Sequence, residues 1–135
     1  AGLLMQRGQI DLCIVGADRV TAKGDVANKI GTFLKAVIAK EFNIPFFVAI
    51  PTNTIDWKTT DYKKVVIEER SHEELSEITG VDSNNKIRKV NIYPKGSNIY
   101  NPAFDITPLK FIDGFITEKG IIEAKEENIK KLKNA

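Results

Sequence analysis

Asp18, Arg19 and Thr21 sit between an apolar run and a glycine, in Gly16-Ala17-Asp18-Arg19-Val20-Thr21-Ala22-Lys23-Gly24. An acid, a base and a hydroxyl on one short loop are the makings of a polar ligand site. Asn28 and Lys29 follow closely and add an amide and a point positive charge, suited to a phosphate or to sugar oxygens. The chemistry these types suggest is therefore the handling of a small anionic ligand.

The flanking segments decide how the loop is held. Ile10 to Val15 is mostly apolar and reads as a buried parallel strand. After the loop, Val26, Ile30, Phe33, Leu34, Val37 and Ile38 recur at three- and four-residue spacing and predict an amphipathic helix. Asp25 is placed to cap it, at the N-cap or in the first turn, and Asn28 and Lys29 then fall in that first turn. Ala27, Gly31 and Ala36 allow close packing on a sheet. A strand that ends in a polar loop and opens a helix is where open α/β sheets bind ligands, and free N–H groups at the helix start favour phosphate.

Asn43 and Pro45 end the helix, and Pro45 to Pro51 reads as a second buried strand, completing a βαβ unit. The loop after it, Thr52-Asn53-Thr54-Ile55-Asp56, belongs on the same ligand edge as Asp18. Residues 57–64 are a short helix or a loop. Val65 to Ile67 reads as a short strand, Ser71 to Thr79 as a short helix capped by Ser71 with Glu74 at capping-box spacing, and Val81 to Arg88 as a surface insertion. Lys89 to Pro94 reads as strand. Asn101 to Pro108 reads as a fixed loop in which Pro102 and Pro108 restrict the backbone and Asp105 accepts backbone N–H groups or caps a helix opening at Thr107. Leu109 to Gly114 reads as a short helix, Phe115 to Thr117 as a last strand, and Lys125 to Asn134 as a helix with early glutamates and late lysines. At the front, Leu3, Leu4 and Met5 before Gly8 read as the end of a helix, which suggests a piece of a longer protein.

The run G-A-D-R-V-T-A-K-G-D-V-A-N-K-I-G-T (residues 16–32) resembles the methylthioribose-1-phosphate isomerase family, whose enzymes act in methionine salvage. T-I-D at 54–56, I-E-E-R at 67–70, N-P-A-F-D-I-T-P at 101–108 and T-E-K-G-I-I at 117–122 extend the resemblance in order along the chain. The same superfamily holds ribose-1,5-bisphosphate isomerase and the alpha, beta and delta regulatory subunits of a translation-initiation exchange factor. The resemblance implies a Rossmann-like, three-layer α/β domain with a mostly parallel sheet flanked by helices. It implies that residues 1–135 are one C-terminal domain of a longer, homodimeric protein, the N-terminal domain lying outside this chain.

It also implies a reaction. Methylthioribose 1-phosphate is an aldose locked in its ring by the anomeric phosphate. The isomerase opens the ring, which needs a proton on the ring oxygen, and moves hydrogen from C2 to C1 by an enediol-like path or as a hydride. By resemblance Asp18 is the proton donor, and Asn28 and Lys29 bind the substrate. Burial would help Asp18 keep its proton, whereas a close pair with Arg19 would strip it, so Arg19 is expected to point away. Lys23 stands where the family usually has asparagine. The family's catalytic cysteine lies upstream of this stretch, and Cys13 does not match it. The cysteine and arginines that complete the pocket lie in the absent part, so the chain alone is expected to be inactive though folded. The alternatives are a ribose-1,5-bisphosphate isomerase and a non-catalytic regulatory subunit; the intact acid with A-N-K-I in register favours an enzyme.

Composition agrees with a globular domain: 42% hydrophobic and 28% charged residues over 135 positions. A net charge of +2 is too small to argue for nucleic acid or an anionic membrane surface. One cysteine allows no internal disulfide, and the one histidine, His72, has no neighbour with which to hold a metal. No P-loop or G-x-G-x-x-G motif supports a nucleotide, so no cofactor is expected. No apolar run is long enough to span a membrane, and a cytoplasmic location is the default expectation.

Overall fold

The computed structural model describes residues 1–133 and resolves two units, one of residues 1–66 with 104 onward and one of residues 67–103. The first unit opens with helix α1 (Gly2–Gln6), stopped by Gly8 at a φ of +65°. It continues through strands β1 (Cys13–Val15), β2 (Arg19–Thr21) and β3 (Val26–Lys29), helix α2 (Thr32–Glu41), and strands β4 (Phe46–Ala49) and β5 (Ile55–Asp56). The second unit contains a single helical turn, α3 (Glu73–Ser76), and a hairpin of β6 (Glu77–Val81) and β7 (Ile87–Asn91). The first unit resumes with β8 (Phe104–Thr107), β9 (Gly114–Thr117), β10 (Gly120–Glu123) and helix α4 (Glu126–Leu132).

Two sheets share the first unit. One has the order β1-β4-β9-β10, with β1, β4 and β9 parallel and β10 antiparallel at the edge. The other has the order β5-β2-β3-β8, in which β2/β3 and β3/β8 are antiparallel and β2/β5 is parallel. The fold is thus mixed α/β, and the mostly parallel character expected from the sequence belongs to the first sheet only. Phe46, Val48 and Phe115 from the central strands form its buried centre, with Val20, Val26 and Ile55 from the second sheet and Ile129 and Leu132 from α4. Burying such side chains is the main stabilising term, about 1.5–3 kcal/mol each.

Several expectations are corrected. The apolar run at 10–15 yields only β1, and it is an edge strand with Ile14 exposed, because β4 pairs it on one side alone. The helix does not begin at Val26. Residues 26–29 extend as β3, since Val26 and Ala27 fit between β2 and β8 and are fully or almost fully buried there. Asn28 and Lys29 therefore lie on a strand. α2 starts after Gly31 and buries its small side, Thr32, Ala36 and Ala39, while Ile30, Phe33 and Leu34 stay exposed. Close approach to the sheet selects the small residues over the larger apolar stripe.

Residues 65–67 form no strand; the short helical turn Tyr62–Lys64 precedes them. The helix expected at 71–79 is cut to α3, and β6 takes over because Ile78 and Val81 pair with Val90 and Ile87 across the hairpin. Glu74, expected at capping-box spacing, binds Arg70. The polar stretch 81–88 includes the hairpin turn, with Asn85 at a φ of +61° and Asp82 accepting from Asn84 and Lys86 N–H. The expected loop at 101–108 contains β8. Leu109–Phe111 is a single helical turn, and β10 follows the strand expected to be the last. Within the described residues the final helix is α4, ending at Leu132; Asn134, included in the expectation, lies outside them.

Gly24 shows how tightly the β2–β3 turn is seated. Its φ is +95°, and an added Cβ would collide with the side chains of Ile129 and Leu109. Gly24→Ala is expected to destabilise the fold by about 1–3 kcal/mol, from overpacking and left-handed strain together. Urea unfolding of variant and parent measures it.

Candidate functional site

Asp18 lies in the short link between β1 and β2, and its side chain is exposed. Its N–H donates to the Ala27 carbonyl at 2.9 Å, which ties the acid's backbone to the strand that carries Asn28 and Lys29. Beside it runs an open groove of about 330 Å³ lined by Asp18, Arg19, Asn53, Thr54, Ile55 and Asp56. The parallel pairing of β2 with β5, Val20 with Ile55 and Thr21 with Asp56, brings the 52–56 loop there. The juxtaposition of that loop with Asp18, expected from the α/β ligand edge, is present.

Arg19 turns to Asp56, with Nη1 3.7 Å from Oδ2, and no ion pair joins it to Asp18 among the described residues. Asp56 is itself anchored. Its Oδ1 accepts from Lys58 N–H at 3.0 Å and its Oδ2 from the Thr59 hydroxyl at 2.9 Å. The Thr59 hydroxyl, then the Lys58 amide, with Arg19 assisting, hold the Asp56 carboxyl below its ordinary value. Next to this, Glu118 after β9 grips Thr52, accepting from its N–H at 2.9 Å and its hydroxyl at 2.5 Å.

The start of α2 is already filled. Asp105 on β8 accepts from Gly31 N–H at 2.6 Å and from Phe33 N–H at 3.0 Å. Gly31 occupies the N-cap position at a φ of +94° and offers no capping side chain, so Asp105 caps the helix from another strand. The free helix N-terminus expected to attract phosphate is thus occupied by the protein's own carboxylate. Asp105 does accept backbone N–H groups as expected, but the helix it caps is α2. Asp25 caps elsewhere too: its Oδ1 accepts from Leu109 N–H at 3.1 Å.

Asn28 donates through Nδ2 to the Thr32 hydroxyl at 3.1 Å, and that hydroxyl donates to the Lys29 carbonyl at 2.6 Å. Lys29 places its ammonium 4.8 Å from the centre of the Phe104 ring. The structure therefore links Asp18 to β3 through the backbone, but the groove that Asp18 lines does not include Asn28 or Lys29. Asp56, as Arg19's partner, is the residue sequence reading missed. Its signal was present: an aspartate followed two residues later by Lys58 N–H and three later by a threonine is an Asx-turn pattern that fixes a carboxylate.

The remaining candidates are structural. Burial pushes the Cys13 thiol up, the opposite of an activated nucleophile. In the second unit Arg70 binds Glu74 through Nε and Nη2 at 2.8 and 2.7 Å, with Glu68 at 3.6 Å, and His72 lies 3.9 Å from Glu69. I-E-E-R there is an ion-pair cluster. No cluster of metal-ligating side chains occurs among the described residues, and none of their helices is long and apolar enough to cross a membrane.

A mixed α/β unit with an acid-bearing loop at the carboxyl ends of its parallel strands has close counterparts. The model of the Initiation factor 2 subunit family matches residues 1–124, and the chain belongs to that family. It is 52% identical over 132 residues to a methylthioribose-1-phosphate isomerase of Gluconobacter oxydans, covering 97% of this chain and 36% of the relative. The crystal structure of 5-methylthioribose 1-phosphate isomerase from Pyrococcus horikoshii OT3 is 43% identical with a TM-score of 0.85, over 99% of this chain and 35% of that one. The structure of translation initiation factor eIF-2B, subunit delta, from A. fulgidus is also 43% identical, with a TM-score of 0.78 over 96% of this chain and 36% of that one. The chain spans about a third of the length of these relatives.

Two expected outcomes follow from the caps and clamps. Asp105→Ala leaves two helix N–H groups without their acceptor and is expected to cost about 1–3 kcal/mol, read by thermal or urea unfolding. The grip on Thr52, first through its hydroxyl, holds Glu118 below its ordinary carboxyl value. A depressed native value contributes stability above the ordinary value of 4.5, and that stability is lost as pH falls through the native one. Glu118→Gln is therefore expected to lose less stability than the parent on acidification below that point, measured by urea unfolding across a pH series.

Proposed function

We propose that the protein containing this chain is an aldose–ketose isomerase, an intramolecular oxidoreductase that converts 5-methylthioribose 1-phosphate to 5-methylthioribulose 1-phosphate. Asp18 is its proton donor, and Asn28 and Lys29 are substrate contacts. The observation that carries the reading is the 52% identity to the Gluconobacter oxydans isomerase over 97% of the chain, an extent that includes the Asp18 loop. The geometry supports it. Asp18 is exposed beside a groove, and the neighbouring guanidinium is engaged by Asp56 and not by the acid.

In this reading Asp18 protonates the ring oxygen as the ring opens. Hydrogen then passes from C2 to C1 by an enediol-like or a hydride path. An acid works best where water is excluded, and Asp18 is open on this chain. The rest of the protein must therefore close the groove and complete the pocket. The chain is accordingly read as the C-terminal, Rossmann-like domain of a longer, homodimeric, cytoplasmic enzyme without a cofactor, inactive by itself. Lys29 is the cation for the phosphate: its ammonium lies over an aromatic face and forms no ion pair among the described residues, so it stays available to an anion.

A second reading is a non-catalytic regulatory subunit, favoured by the 43% identity to the A. fulgidus initiation-factor protein. Ribose 1,5-bisphosphate is the alternative substrate for an enzyme. The test uses the full-length protein with methylthioribose 1-phosphate, following ketose formation, and Asp18→Asn as its control. Turnover is expected, with a loss of about 10²–10⁴-fold in the variant at unchanged circular dichroism. Turnover of ribose 1,5-bisphosphate alone would move the substrate assignment. A folded protein that turns over neither would leave the regulatory reading in its place.

A further inference from the structure

The groove that holds Asp18 needs groups of its own to touch a ligand, since Asn28 and Lys29 do not line it. Apart from the acid, its polar lining is Arg19, Asn53, Thr54 and Asp56. Arg19 and Asp56 face each other, and Asp56 is held besides by the Lys58 N–H and the Thr59 hydroxyl. Thr54 is half-buried. Asn53 is exposed, and its amide has no hydrogen-bond partner among the described residues.

The backbone that carries Asn53 is pinned on both sides. β4 and β9 run parallel and leave their sheet together, with Ala49 opposite Ile116 and the Ile50 N–H on the Ile116 carbonyl at 2.9 Å. Just beyond, the Glu118 carboxylate accepts from the Thr52 N–H at 2.9 Å and from the Thr52 hydroxyl at 2.5 Å. On the far side Ile55 is buried and paired with Val20 of β2, the strand that follows Asp18 directly. Between these anchors Thr52–Thr54 makes one short helical turn, closed by the Thr54 N–H on the Pro51 carbonyl at 3.0 Å. We propose that Asn53 is a further substrate contact, hydrogen-bonded to a hydroxyl of the sugar, and that Glu118 is the positioning residue that sets it in the groove. The identity of the ligand rests on the isomerase reading. A carboxamide both donates and accepts, as a sugar hydroxyl does, so the two are matched without a net charge. A backbone already fixed loses little further freedom when the ligand arrives, which lets one such contact count in affinity.

The experiment uses the full-length protein with methylthioribose 1-phosphate. Affinity is read by calorimetry in the Asp18→Asn background, where turnover does not interfere, and kcat and KM are read with Asp18 in place. Asn53→Ala is expected to weaken binding about tenfold and to raise KM alike, with kcat within about threefold. Glu118→Ala, which releases the turn, is expected to weaken binding in the same direction. Added to Asn53→Ala it is expected to cost nothing more, because both act through one contact. Glu118→Gln is expected to keep parental affinity at neutral pH, since its amide can accept from the Thr52 N–H and donate to the Thr52 oxygen. Thr52→Val, which removes half of the grip, stands in if Glu118→Ala does not fold. Parental affinity in folded Asn53→Ala overturns the contact, and turnover by the parent then leaves the isomerase reading intact. A loss in Glu118→Ala that persists undiminished beside Asn53→Ala overturns the positioning role, because Glu118 would then act on the fold at large. A folded parent that neither binds nor turns over the substrate removes the isomerase reading and the contact with it.

Discussion

The contact that ties β3, β8 and α2 together is the carboxylate of Asp105 against the start of α2. β3 ends at Lys29, the chain reverses through Ile30 and Gly31, and the helix departs with N–H groups that its own sequence does not cap. Asp105 reaches from β8 to take two of them. Because β8 pairs with β3 from Val26 to Lys29, the same strand fixes the register of β3 and the origin of the helix that follows it. A charge-assisted pair of this kind is directional where hydrophobic burial is not. It explains why a helix with exposed Phe33 and Leu34 still packs by its small face: its first turn is pinned, and the pinned orientation puts Thr32, Ala36 and Ala39 against the sheet.

The same logic of carboxylates holding backbone recurs. Asp25 takes Leu109 N–H, Asp113 takes Phe46 N–H at 2.8 Å, Glu118 takes Thr52 N–H, and Asp56 takes Lys58 N–H. Asp25, Asp113 and Glu118, each beyond or between regular elements, hold the first residue of another element, and Asp56, at the end of β5, holds the turn that follows it. Asp18 differs from these, being exposed at a groove with only its backbone N–H tied to β3.

What could be read from sequence follows from this. The parallel relation of β1 and β4, the helix between them and the meeting of the 52–56 loop with Asp18 were legible, because apolar runs and polar strand ends report directly on a parallel sheet. The extent of β3 was not. Val26, Ile30, Phe33 and Leu34 carry a helical period, yet Val26 is claimed by Val20 and Thr107 on either side, and tertiary pairing overrides local spacing. The strand at 104–107 was hidden for a related reason: two prolines bracket it and advertise a loop, but neither lies within the strand whose N–H groups pair with β3. The hairpin of β6 and β7 has mainly exposed side chains, so no buried face announced it by alternation. Asp105's acceptor role was legible from its type and setting, its true partner only from the fold.

The placement of Asn28 and Lys29 on a strand rather than a helix changes how they can serve a ligand. Successive strand side chains point to opposite faces, and cross-strand partners share a face. Asn28 is opposite Asp105 and Lys29 opposite Phe104. The contacts agree, since the amide turns to Thr32 at the helix start while the ammonium lies over the Phe104 ring. On a helix the two would lie about 100° apart around one turn, closer in direction than on a strand. On β3 they diverge, Lys29 being the strand's last residue before the chain turns away. The Asp18 backbone, bonded to Ala27, keeps the acid beside that same strand. The start of α2 offers no alternative meeting point, because Asp105 already fills that helix N-terminus.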